Sequence, residues 1–379
     1  MIVYPVKHSP LLRQPEHFIA RDELKTLIKK VTHNLVNIHD ETGEFLLRLD
    51  DGRVIDTKGW AGWEWTHGVG LYGMYQYYLQ TGDETMRDII DSWFAERFAE
   101  GATTKNVNTM APFLTLAYRY EETRNPAYLP WLDSWAEWAM HEMPRTEFGG
   151  MQHITLAEEN HQQMWDDTLM MTVLPLAKIG KLLNRPDYIE EATYQFLLHV
   201  QNLMDKETGL WFHGWSYEGN HNFANARWAR GNSWLTIVIP DFLELLDLPE
   251  NNAVHRYLVQ VLNAQIAALA KCQDESGLWH TLLDDPQSYL EASATAGFAY
   301  GILKAVRKRY VGQEYALVAE KAIRGIVQHI SPEGELLHTS FGTGMGHNLD
   351  FYRNIPRTSM PYGQAMAMLC LTEYLRKYF

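Results

Sequence analysis

Residues 163–171 read QMWDDTLMM, two adjacent carboxylates inside an otherwise apolar run. Such a pair either caps a helix or does acid–base chemistry. An Asp ahead of the run TLMMTVL is a good N-cap, because its side-chain oxygen accepts from the unpaired N–H groups of a first turn. Neighbouring side chains on a helix point about 100° apart, so at most one of Asp166 and Asp167 aims into a central cavity. The one that does sits among Met164, Trp165 and Met170. An apolar setting disfavours the ionised carboxylate and keeps a proton available near neutral pH.

Other residues of chemical interest fall in two patterns. His153, His213, His280 and His338 each follow a recurring glycine by three or four positions. Singly, each is an ordinary polar loop residue; converging with Trp and Arg at one mouth, they make a ligand site. Their spacings lack the short pairs of a metal centre, so no metal is expected. The stretch NARWARGNSW, from Asn225, has two readings. In one, Trp228 and Trp234 are core and the arginines pair with surface acids. In the other, an indole faces a sugar ring while Arg230 grips a carboxylate, whose geometry the guanidinium fork matches. Thirteen tryptophans, many in the loop patterns, favour carbohydrate over a purely apolar ligand.

GVGLYG, residues 68–73, matches the dinucleotide fingerprint letter for letter, but that fingerprint needs a buried strand before it. Residues 59–67 read GWAGWEWTH and form no such strand, so the small residues are expected to let an inner helix pack closely. The chain carries no G-x-S-x-G elbow, phosphate loop or H-E-x-x-H segment, and no cofactor is expected.

These residues must be positioned by a scaffold, and the sequence repeats. An acidic or polar turn, then Gly, then an aromatic or Leu, recurs as ETGEF from Glu41, FGGMQH from Phe148, ETGLWFH from Glu207, ESGLWH from Glu275 and PEGELLH from Pro332. A second pattern opens helices with Pro or an acid in the first turn: TGDET, RNPAY, RPDY, LPEN and VGQEY. The alternation, with a period of about sixty residues, predicts six helical hairpins. Six hairpins close into an all-α (α/α)6 barrel, with the Gly-Trp-His loops at one mouth; an open superhelix of helix pairs is the alternative. No composition shift marks a second domain, so residues 1–379 are expected to form one.

The net charge of −14 argues against nucleic acid or anionic lipid as partner. No stretch reaches the length of a membrane span. Cys272 and Cys370 follow no ligand spacing and are expected to be buried free thiols. The first ten residues, MIVYPVKHSP, show no secretion signal, so the expected location is the cytoplasm. Oligomeric state is not legible.

Taken in order, MWDDTLMM from Met164, GLWFHGW from Gly209, RWARGNSW from Arg227 and GLWH from Gly277 resemble the unsaturated rhamnogalacturonyl hydrolases of glycoside hydrolase family 105. Those enzymes are related to the unsaturated glucuronyl hydrolases and are (α/α)6 barrels. The resemblance runs from about Trp63 to the C-terminus. It implies that Asp167 is the catalytic acid, that Asp166 is not catalytic, and that His153, His213, Trp228, Arg230 and Trp234 contact substrate. It places Trp65 at the cavity floor. Some members carry a second Asp where this chain has Asn108, which can still bond a sugar hydroxyl. The implied reaction is hydration of an unsaturated uronic acid at the end of a pectin-derived oligosaccharide, with no metal or organic cofactor. Unsaturated glucuronyl hydrolase activity, epimerase or isomerase chemistry on histidines, and a non-catalytic helical-repeat binding protein are the rival readings.

Overall fold

The structure is a computed structural model that describes residues 17–48, 52–101 and 103–379. The segment MIVYPVKHSP lies outside the described residues. The longer helices are α1 (Arg21–Asn37), α2 (Trp65–Thr81), α3 (Glu84–Glu100), α4 (Phe113–Thr123), α5 (Leu129–Glu137), α6 (Leu174–Leu182), α7 (Pro186–Leu203), α8 (Ala229–Leu246), α9 (Ala253–Cys272), α10 (Ala292–Arg307) and α11 (Ala316–Gln328). The short α12 (Leu349–Arg353) and the final α13 (Pro361–Tyr378) follow.

Contacts between helices close a ring. Helix α2 packs on α4, α4 on α6, α6 on α8, α8 on α10, α10 on α13, and α13 back on α2. Each inner helix also packs against an outer one: α3, α5, α7, α9 and α11 against the inner helix that precedes each in sequence, and α1 against α13. This is the (α/α)6 barrel expected from the repeat, and ring closure excludes the open superhelix. The sixth pair departs from the simple count of hairpins. It joins the first long helix to the last, so the two ends of the chain seal the barrel.

Composition explains which helix lies inside. Along α8, α10 and α13 almost every residue is buried, whereas α3 and α9 bury one stripe and expose charges. A helix buried all round must be apolar or small all round. The GVGLYG segment is inner-helix packing as expected: a Cβ on Gly68 would stand 2.6 Å from the backbone of Ala111, and one on Gly73 2.6 Å from Met368.

The five recurring turn glycines, Gly43, Gly149, Gly209, Gly277 and Gly334, all have positive φ, which explains why the loop pattern keeps Gly there. Between the helices lie four antiparallel two-stranded ribbons: β1 (Leu46–Arg48) with β2 (Val54–Asp56), β3 (Gln163–Trp165) with β4 (Gly214–Ser216), β5 (Trp279–His280) with β6 (Leu290–Glu291), and β7 (Thr339–Ser340) with β8 (Arg357–Thr358). Cys370 is buried and Cys272 partly so, and both are free. Among the described residues no helix is long and apolar enough to cross a membrane.

Candidate active site

A cavity of 580 Å³ opens at one end of the barrel. Residues at or just before the starts of inner helices reach it, with Trp65 opening α2, Trp228 and Arg230 at the start of α8 and Tyr362 opening α13, while Asn108 and Asp167 lie in the segments ahead of α4 and α6. The β1–β2 ribbon and loops around 103–106, 153–160 and 341–344 complete the wall. The positive dipole ends of α2, α8 and α13 favour an anion there despite the chain's net negative charge.

The acidic pair is held where β3 ends. Pairing of Met164 with Trp215 and of Trp165 with Gly214 lets the Asp166 N–H donate to the His213 carbonyl at 3.0 Å. Beyond the pair, residues Leu169–Val173 form a π-helical turn in which the Leu174 N–H bonds Leu169. Pro175 lacks the N–H that an α-helix would direct at Met171, which is a local reason for the wide turn.

The two carboxyls differ in setting. Asp166 is 0% exposed, and its carboxyl has no side-chain partner other than the neighbouring Asp167. One lies so close to Gly231 that a Cβ there would stand 2.1 Å away. Asp167 lines the cavity with its side chain 20% exposed. Its Oδ2 faces His213 Nε2 at 3.5 Å. The Tyr352 hydroxyl accepts from the Gly346 N–H at 3.1 Å and lies 2.8 Å from His213 Nδ1. A carboxylate can only accept, so the tautomer that suits an ionised Asp167 carries its N–H on Nε2.

Here the structure corrects the sequence reading. Burial, then the neighbouring charge of Asp167, push Asp166 well above the ordinary carboxylate range. Burial acts to raise Asp167 too, but the His213 ring facing it and the bond from Asp166 outweigh it and hold Asp167 below that range. At rest the uncharged carboxyl is therefore Asp166, and the pair shares one proton. Asp166 is also not a cap, since its side chain bonds no backbone N–H of a first turn.

His153 lines the cavity, stacks on Trp165 at 4.1 Å, and bonds Thr168 Oγ1 through Nδ1 at 2.9 Å. Burial pushes it down to about 4, so it is neutral. His213 lies behind Asp167 rather than on the cavity wall. His280 and His338 do not join the site. His280 bonds the Ser288 carbonyl in its own loop, and His338 packs on His329. The expected convergence of four histidines thus reduces to two.

Arg230 is buried yet lines the cavity. Nη1 donates to the Ser340 carbonyl at 2.9 Å and to its hydroxyl at 2.5 Å, and Nη2 to the Phe341 carbonyl at 3.1 Å and Thr343 Oγ1 at 2.9 Å. Its Cζ lies 4.7 Å from the centroid of the Trp228 ring and 4.8 Å from that of Tyr362. Among the described residues it forms no ion pair with a carboxylate, so a buried positive charge stands at the cavity without a fixed counter-ion. Trp65 stacks on Tyr362 at 4.6 Å and lines the cavity. Trp228 lines it too, but Trp234 does not. It is 0% exposed and meets the edge of Trp65 from behind at 5.8 Å, so the core reading holds for Trp234.

Sequence reasoning missed Glu64, the N-cap residue of α2, which lines the cavity beside Trp65. The available signal was an acid directly ahead of a helical run, in WEWTH. As to a metal, one oxygen each of Asp166 and Asp167 and a ring nitrogen of His213 lie within 4.8 Å of one another. The same three groups can hold a proton among them, with His213 Nε2 as the donor facing Asp167.

A ring of helix N-termini around one ionised and one protonated carboxyl, a buried arginine and indole faces defines a carbohydrate-active site of the (α/α)6-barrel class. The model of Glycosyl Hydrolase Family 88 matches residues 37–378, and the chain belongs to this family, which here joins the family 105 enzymes. It is a glycoside hydrolase. It is 31% identical to the unsaturated rhamnogalacturonyl hydrolase YesR of Bacillus subtilis, over 83% of this chain and 90% of that one. Crystal structures described as possible GH105 members from Salmonella enterica serovar Paratyphi A (92% identity, TM-score 0.97) and Klebsiella pneumoniae (86%, 0.96) match it over the full length of both chains.

Proposed function

We propose that the chain is one catalytic domain that releases a 4,5-unsaturated uronic acid from rhamnogalacturonan-type oligosaccharides by hydrating the C4=C5 bond. The observation that carries this reading is the buried Arg230, without a carboxylate partner among the described residues, in the same cavity as Asp167. A uronate supplies the missing anion. The likeness to YesR supports the pectin-derived class of substrate. Two unpaired cysteines suit a reducing compartment, and we place the reaction in the cytoplasm.

In the proposed reaction, the arriving uronate adds negative charge and draws the shared proton from Asp166 to the cavity-facing oxygen of Asp167. Asp167 then delivers it to C4. The positive charge that develops at C5 is shared with the ring oxygen, water adds at C5, and its proton returns to Asp167. The hemiketal formed at C5 opens and releases the neighbouring sugar. One acid/base suffices, unlike the two carboxylates that flank the glycosidic bond in ordinary glycosidases. His213 steadies the ionised form of Asp167 between steps, and Trp65 and Trp228 offer the ring apolar faces.

The test is a panel of unsaturated disaccharides differing in the neighbouring sugar, followed by ultraviolet absorbance of the conjugated alkene. Absorbance is expected to fall, fastest with rhamnose as neighbour, and to persist with Asp167→Asn. Persistence with every disaccharide and the unaltered protein would overturn the reading.

A further inference from the structure

Glu64 is a second carboxyl on the cavity wall, and the reaction proposed above makes no use of it. Its backbone is pinned. The Glu64 N–H donates to His67 Nδ1 at 3.0 Å, and His67 Nε2 bonds the Gly59 carbonyl at 2.9 Å, which fixes the imidazole as a neutral Nε2–H tautomer. The side chain receives a hydrogen bond from the Asn108 amide, itself on the cavity wall. Among the described residues no Lys, Arg or His forms an ion pair with it. A carboxyl and an amide thus stand together at the cavity beside the Trp65 ring, the donor–acceptor combination that binds a sugar hydroxyl.

We propose that Glu64 and Asn108 form a hydroxyl-binding pair that positions the unsaturated uronate ring, and that ionisation of Glu64 weakens substrate binding. This inference rests on the uronate reading above. Burial disfavours the charged form and pushes Glu64 up to about 7, against the opposing N–H of Trp65 and amide of Asn108.

The surrounding charges leave the shift uncompensated. On its own helix His67 is neutral, pushed down to about 4 by burial. On α3, Arg97 is engaged with the Ala61 carbonyl and with Glu100 at 2.5 Å. From the β1–β2 ribbon Glu44, Arg53 and Asp56 reach the same cavity, and Glu158 does so from the loop before β3. Across it stand the neutral His153, the ionised Asp167 and Arg230. A bound uronate engages Arg230, so an ionised Glu64 adds repulsion with no cation of its own to offset it.

The experiment titrates an unsaturated galacturonyl–rhamnose disaccharide by calorimetry into the Asp167→Asn protein, with and without Glu64→Gln, at pH 6 and 8.5. With Glu64 present, Kd is expected to weaken about tenfold over this interval. With Glu64→Gln the change should largely disappear, as it should for the uncharged methyl ester of the same disaccharide. Glu64→Ala should bind weakly at both pH values. An unchanged pH response in the Gln variant, or undiminished affinity in the Ala variant, overturns the role of Glu64 alone. Absence of binding by every protein at both pH values overturns the uronate reading and this inference with it.

Discussion

At the scale of single residues, the site turns on two adjacent carboxyls that the fold treats in opposite ways. Asp167 faces His213 Nε2 and the cavity, while Asp166 is sealed against Gly231 with Asp167 as its side-chain partner. Asp167→Asn is expected to fold normally and to lose turnover by about a thousandfold or more, read as the initial rate of absorbance loss. Asp166→Asn removes the residue on which the shared proton rests. Its alkaline limb of kcat/KM against pH should move about one unit or more towards acid, a shift that a purely structural residue would not produce. Glu64 carries a stability consequence. Its folded value, about 7, lies above the ordinary 4.5, so the unfolded chain releases this proton first as pH rises. Its contribution to stability is present below about pH 4.5, declines to about pH 7 and then levels off. Glu64→Gln should therefore raise stability at pH 8 by up to about 3 kcal/mol and leave it nearly unchanged at pH 4.5, which thermal melts at the two pH values would show.

At the scale of elements, the inner helices approach closely enough that single atoms matter. Pro240 lies inside α8 and has no N–H to offer the Thr236 carbonyl one turn back. Helix α10 fills that position with Gly301, whose added Cβ would stand 2.0 Å from the Thr236 oxygen. The obstacle is backbone, which cannot swing aside. Gly301→Ala is therefore expected to cost about 3 kcal/mol, seen as a lower denaturant midpoint at unchanged slope. The ribbons do the positioning at the other end. β3–β4 sets Asp166 beside His213, and β7 presents Ser340, whose carbonyl and hydroxyl hold Arg230.

At the scale of the whole molecule, the barrel has two polar ends joined by an apolar wall. About 18 Å along α8 from the site, at 1.5 Å per residue, Asp241 meets Lys304 of α10 at 2.5 Å, and the hydroxyls of Tyr72 and Tyr300 at 2.9 and 2.8 Å. This buried cluster ties α2, α8 and α10 together far from the cavity. Removing one partner of a buried pair strands the other charge. Lys304→Met should cost about 3–5 kcal/mol, and adding Asp241→Leu should restore most of it, a comparison that chemical denaturation resolves. The inner ring closes where α13 meets α2, and α1 covers α13 from outside, so the barrel draws on both its earliest and its latest helix.

The sequence alone determined the scaffold and, through the family resemblance, singled out Asp167 as the candidate acid. Turn glycines and helix starts are local signals, set by backbone sterics and unpaired N–H groups within a few residues, so their alternation revealed six helix pairs before any coordinates. The apolar run around Asp167, and Arg230 between two tryptophans, marked the site for the same reason. Only the tertiary structure decided which of the adjacent carboxyls holds the proton, because the answer depends on His213, oriented by a tyrosine 139 positions further along the chain. It likewise withdrew Trp234 into the core, left His280 and His338 in their own loops, and brought Glu64 to the cavity wall. Burial and field are sums over residues distant in sequence, and no spacing along the chain encodes them.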